Sequence, residues 1–123
     1  MIYFDQSATS VHKPPEVAEA VALGLRGGYG NPSRGAHDRA LHALQEVAKA
    51  RRAVAAYFGA SPLEVAFTFN ATMALNMAIK GALTTGDCVL TTPYSHNAML
   101  RPLYEMQDRG MRLDIMPLDQ QGG

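Results

Sequence analysis

The sequence predicts an α/β fold in which helices alternate with mainly parallel strands. Three observations carry that reading. An apolar run at 64–69 gives way to helical spacing at Asn70; a second strand-like run at 87–92 is broken by Pro93, with helical spacing resuming at His96; and a third run, 112–116, follows Gly110. Strands separated by helix-length segments need crossover connections, and such connections build parallel pairs.

Composition bounds the function. The chain has 123 residues, 47% of them apolar, and 11 acidic residues balance 11 basic ones, so one ordinary soluble domain without a disordered or membrane-bound majority is expected. The zero formal charge and the lack of a basic run argue against a nucleic-acid or anionic-lipid surface. No apolar stretch approaches a membrane span, and the amino end, MIYFDQSATS, lacks the charged and apolar regions of a signal peptide. A cytoplasmic location is expected, and the single cysteine, Cys88, fits a reducing compartment. No repeat or linker marks a second domain, and no metal site is expected.

Taken in order, residues 2–4 are extended and 5–12 form a polar loop of small residues leading to Pro14 and Pro15. Val17, Val21 and Leu25 then recur at helical spacing until Gly27 and Gly28. Residues 27–35, GGYGNPSRG, hold four glycines and a proline in nine positions, which favours turns and makes a loop long enough to be functional. The longest helix is predicted over 36–58, with Leu41, Leu44, Val47, Val54 and Phe58 in period and Gly59 as its stop. Arg51 falls near its apolar side, so the guanidinium must find an acceptor, and an ion pair is the expected one. Ser61 and Pro62 turn the chain into the first predicted strand, 64–69, and a helix runs to Gly81. Thr85 and Gly86 turn into the second strand, 87–92; a helix over 96–108 is capped by Gly110; the third strand is 112–116; and the tail LDQQGG is polar.

Two strand-to-helix junctions stand out. Asn70, Ala71 and Thr72 open a helix whose first N–H groups and dipole favour an anion, with a Thr hydroxyl beside a small Ala. Taken alone, this is more often an ordinary N-cap. Ser95 and His96 lie past the end of the next strand, and ligands of open α/β sheets bind beyond such ends. A phosphate at the first junction and an imidazole stacked on an aromatic ring at the second together suggest a phosphorylated aromatic cofactor, although a lone His near a helix start is more often a surface or capping residue.

These residues resemble, phrase by phrase, the class V aminotransferase and cysteine desulfurase family, pyridoxal-phosphate enzymes of fold type I. IYFDQSATS resembles YLDNAATT, YGNPSRGAH resembles the GNPS and RGxH loop, FTFNATMALNMAIKG resembles FTxGATEAxNLAIKG, and PYSHNAMLRPL resembles EHNSVLRPL. The resemblance implies the amino-terminal part of such a transferase, with 1–60 as an arm and helices and 61–123 as the incomplete start of the large cofactor-binding domain. It implies pyridoxal 5′-phosphate bound by Asn70, Ala71, Thr72 and His96, catalytic roles for His96 and His37, and a substrate side formed by Ala8, Asn31 and Arg34. It also implies cysteine as substrate, released as alanine with the sulfur left as an enzyme persulfide, a homodimer, and a sulfur-acceptor protein.

The departures are Asn70 where many members have Gly, Met73 and Ser95 in place of acidic residues, and Gln6 in place of Asn. His12–Lys13 imitates the dipeptide that carries the family's cofactor lysine but stands in the loop before the first helix; Lys49 and Lys80 match ordinary helix positions. Cys88, within a strand, is expected to be a buried small hydrophobe. The cofactor lysine, the pyridine-nitrogen Asp, the catalytic Cys and the carboxylate-binding Arg lie downstream in family members, so these 123 residues alone are expected to be inactive, to expose apolar edges and to be marginally stable. The alternatives are a class V aminotransferase, a selenocysteine lyase, or a non-catalytic pseudoenzyme or interaction module.

Overall fold

The structure, a computed structural model, describes residues 2–117. The polar tail 118–123 lies outside the described residues. The chain divides into two compact units, Met1–Val65 and Ala66–Gly123.

In the first unit, α1 (Pro15–Leu23) starts after Pro14, whose extended backbone and fixed φ suit the entry to a helix. A wide helical turn, Gly24–Gly28, follows and ends where Gly27 takes φ 91°, a left-handed conformation open to glycine. The long helix α2 (Asp38–Phe58) begins two residues later than its periodicity suggests, because His37 is extended and caps the helix instead of joining it. Gly59, at φ 65°, ends it. Arg51 finds its acceptor in the Val65 carbonyl. Only alanines of α2, namely Ala40, Ala43 and Ala55, are buried hydrophobics in this unit among the described residues.

The strand predicted over 64–69 does not form. Glu64 is drawn into a short 3-10 turn, Pro62–Glu64, by a reciprocal cap in which the Ser61 N–H donates to Glu64 Oε2 at 2.7 Å and the Leu63 N–H donates to Ser61 Oγ at 3.3 Å. Beyond it, no described strand lies alongside to complete a ladder, and Phe69 is 93% exposed. The described sheet therefore has two strands rather than three.

The second unit is a helix pair on that sheet. α3 (Ala71–Ala82) leads through the Gly86 turn to β1 (Cys88–Thr91), α4 (Asn97–Asp108) crosses over, and β2 (Arg112–Ile115) returns parallel to β1 with Cys88 opposite Arg112 and Thr91 opposite Ile115. Leu103, Met106, Met111 and Leu113 form the core, with Ile79, Leu83, Val89 and Met99 packed on it. Pro102 is buried inside α4 and leaves the Ala98 carbonyl without its helical donor. Lys80 on α3 forms an ion pair with Glu105 on α4. The Lys80 hydrogen bond, reinforced by the charges of Lys80 and Arg109 and opposed by partial desolvation, holds the Glu105 carboxyl below the usual glutamate range.

Cys88 is exposed, contrary to the expectation of a buried thiol. Strand side chains alternate between faces: Val89 and Thr91 turn toward the helices, while Cys88 and Leu90 turn to a face that no described element covers. There the Cys88 thiol and Asp114 flank Arg112 and raise the pKa of its guanidinium.

Candidate functional site

The site is assembled at the amino ends of α3 and α4. Asn70 is extended, and its Oδ1 accepts the Met73 N–H at 2.8 Å, while its carbonyl accepts the Ala74 N–H at 3.1 Å. Of the four N–H groups that a helix start leaves without an intrahelical partner, only that of Met73 is capped, and those of Ala71 and Thr72 are among the three left for an outside acceptor. Thr72 and Ala71 are exposed. Asn76, one turn on, donates its Nδ2–H to the Thr72 carbonyl at 3.0 Å and fixes that edge of the helix.

The second junction is set by hydroxyls. Thr91, buried at the end of β1, shares a 2.9 Å hydrogen bond with Ser95 Oγ, and the Ser95 N–H closes the turn on the Thr92 carbonyl at 3.1 Å. Ser95 thus has a local task where the resembling motif has Glu. His96 follows as the cap of α4, its Nδ1 accepting the Ala98 N–H at 3.0 Å. The ring is thereby held by its Nδ1 edge.

Thr72 and His96 line one hollow of about 370 Å³, with Asn76, Asn97, Ala98 and Arg101 completing its wall. No carboxylate is in that lining, and Arg101 adds a cation. Sequence reasoning missed Asn76 and Arg101. The signal was present, since Asn76 stands four residues after Thr72 and Arg101 four after Asn97, the spacing that puts side chains on one helix face.

The remaining candidates belong to the amino-terminal unit. Ala8 sits in a turn where its N–H and that of Thr9 both donate to the Asp5 carbonyl at 3.2 Å. Asn31 Oδ1 accepts the Ser33 N–H at 2.8 Å, and Arg34 is exposed on the same loop. His37 caps α2, its Nδ1 accepting the Ala40 N–H at 3.3 Å. His42, on α2, meets Tyr29 with ring centroids 5.0 Å apart. None of the chain's three lysines lines the hollow: Lys13 donates to the Ser10 carbonyl, Lys49 is exposed on α2, and Lys80 is paired with Glu105.

Comparison with known proteins gives the family and the fold. Residues 2–123 match the family Aminotransferase class-V, and the chain belongs to that family. It is similar to the cysteine desulfurase IscS of Neisseria meningitidis, with 33% identity covering 98% of this chain and 31% of the relative. It is likewise similar to the mitochondrial cysteine desulfurase of Candida albicans, at 34% identity over 98% of this chain and 25% of the relative. Among solved structures, the apo cysteine desulfurase of Thermococcus onnurineus superposes with a TM-score of 0.83 and 32% identity, covering 99% of this chain and 31% of that one. A NifS-like protein superposes at 0.72 with 30% identity over 89% of this chain. The fold is therefore the α/β class that the sequence predicts, and the chain spans about a quarter to a third of the length of these relatives.

Proposed function

We propose that this chain supplies the phosphate-and-ring side of a pyridoxal-phosphate site, as the amino-terminal portion of a cysteine desulfurase. The observation that carries the reading is that Thr72 and His96, from two different helices, line one carboxylate-free hollow. The residues fit the group. The Ala71 and Thr72 N–H groups and the Thr72 hydroxyl meet a phosphate at the positive end of α3, and Asn70 shapes that end by capping it. Arg101 adds charge of the right sign. The His96 ring, fixed edge-on by Ala98, has its faces left to lie against an aromatic ring and its Nε2 to hold or pass a proton. When bound, pyridoxal phosphate supplies an electron sink for bond cleavage next to the substrate amine.

On this reading, residues 61–123 begin the large cofactor-binding domain, cysteine is the substrate, and Ala8, Asn31 and Arg34 serve the substrate side, with His37 as an active-site histidine. A homodimer, a sulfur-acceptor protein and a cytoplasmic location are proposed with it; no described helix is long and apolar enough to cross a membrane. Because no lysine of the chain stands at the hollow, the 123 residues by themselves yield no alanine or persulfide from cysteine, and detecting either would refute this. The same observation favours the second reading, a non-catalytic module that retains the cofactor seat.

Equilibrium titration with pyridoxal phosphate tests the site. Thr72→Val and His96→Ala each weaken binding by about tenfold, the loss of one hydrogen bond to a charged group or one ring contact. Equal binding by all three chains would remove the site from this hollow.

A further inference from the structure

The loop that carries Asn31 and Arg34 is folded around a ring. Gly30 and Gly35 both lack the positive φ that would demand glycine for its backbone, so space is what excludes a side chain there. A Cβ on Gly30 would lie 2.8 Å from His37 Cε1 and 3.0 Å from the Ala40 nitrogen. A Cβ on Gly35 would lie 2.9 Å from His37 Nε2, 3.2 Å from His37 Cδ2 and 2.5 Å from Ala40 Cβ. The third side of the ring, Nδ1, accepts the Ala40 N–H at 3.3 Å. The loop is closed onto the same turn of α2 by the Gly30 N–H, which donates to the Arg39 carbonyl at 2.9 Å. Backbone thus meets the imidazole at Gly30, at Gly35 and at the first turn of α2, and the residues between the two glycines have to follow its outline.

We propose that His37 is a positioning residue, a latch whose imidazole sets the path of 30–35 and so places Asn31 and Arg34, instead of reacting with substrate itself. This rests on the reading of that loop as the substrate side. Capping alone does not account for the geometry, because a cap uses only Nδ1, whereas the two glycines make room for Cε1, Nε2 and Cδ2.

Amide hydrogen exchange on the 123-residue chain without cofactor separates latch from cap, with trypsin cleavage after Arg34 as a second readout. Because no cofactor is present, failure here is distinct from failure of the cofactor titration. His37→Asn keeps a cap as good as any side chain provides but removes the ring. The latch predicts that Gly30 exchange and Arg34 cleavage rise by about tenfold in His37→Asn and in Gly35→Ala, the latter displacing a ring that is still present, while Ala55 in α2 stays protected. Wild-type protection of Gly30 in either variant overturns the proposal. Loss of Ala55 protection in His37→Asn also overturns it, since His37 would then be holding the helix and not the loop.

Discussion

Asn70 has one oxygen and two calls on it: it can cap α3 or reach a ligand, and its Oδ1 is committed to the Met73 N–H. Asn70→Ala therefore lowers the stability of α3 by about 1 kcal/mol and raises Met73 amide exchange, while Asn70→Asp stays within a few tenths. At the other junction the buried Thr91 hydroxyl depends on Ser95 Oγ, so Ser95→Ala destabilises the unit by about 1–3 kcal/mol, checked by urea titration. Much of this site was legible because helix starts announce themselves: a capping Asn, a Thr and a His placed just past apolar runs are local signals. Asn76, Arg101 and the Tyr29–His42 contact were not legible, because they depend on which residues share a face or meet across a loop. Cys88 was misjudged for a related reason: strand membership predicts two faces, and only tertiary packing decides which one is covered.

At the scale of elements, α3 and α4 are joined by apolar packing at Leu103 and by the Lys80–Glu105 pair. Leu103→Ala costs about 2–5 kcal/mol, measured by denaturant unfolding, because it empties the centre of the only described sheet–helix core. Glu105 gives a pH dependence with a definite sign. Its folded pKa is lowered, so the contribution of the pair is present above the unfolded value and is lost as pH falls through the folded one. Side-chain carboxyl NMR should place the Glu105 midpoint below the ordinary glutamate range, with Lys80→Met moving it back up; an unchanged midpoint in that variant contradicts the assignment to Lys80. The element that failed to form, 64–69, shows where periodicity runs out. Val and Phe favour a strand, but a strand exists only beside another, whereas the Ser61–Glu64 cap is local and needs no neighbour.

For the whole molecule, the expected apolar exposure is extensive: Phe4, Leu63 and Phe69 are each more than 90% exposed at 91%, 94% and 93%. With only alanines as buried hydrophobics among the described residues of the first unit, burial offsets little of the conformational entropy of ordering its backbone. The isolated chain should accordingly bind a hydrophobic dye and be marginally stable, unfolding at a low midpoint; a midpoint in the ordinary range of stable domains, about 45–65 °C, contradicts this. The central claim, that the hollow between α3 and α4 takes a phosphate and an aromatic ring, is tested most directly by amide and imidazole NMR. Pyridoxamine phosphate, which lacks the aldehyde that reacts with lysines, is compared with pyridoxamine. The account predicts that the Ala71 and Thr72 amide signals move only with the phosphorylated compound, while the His96 ring signals move with both. Still signals at Ala71 and Thr72, or the same movement in Thr72→Val, would contradict it.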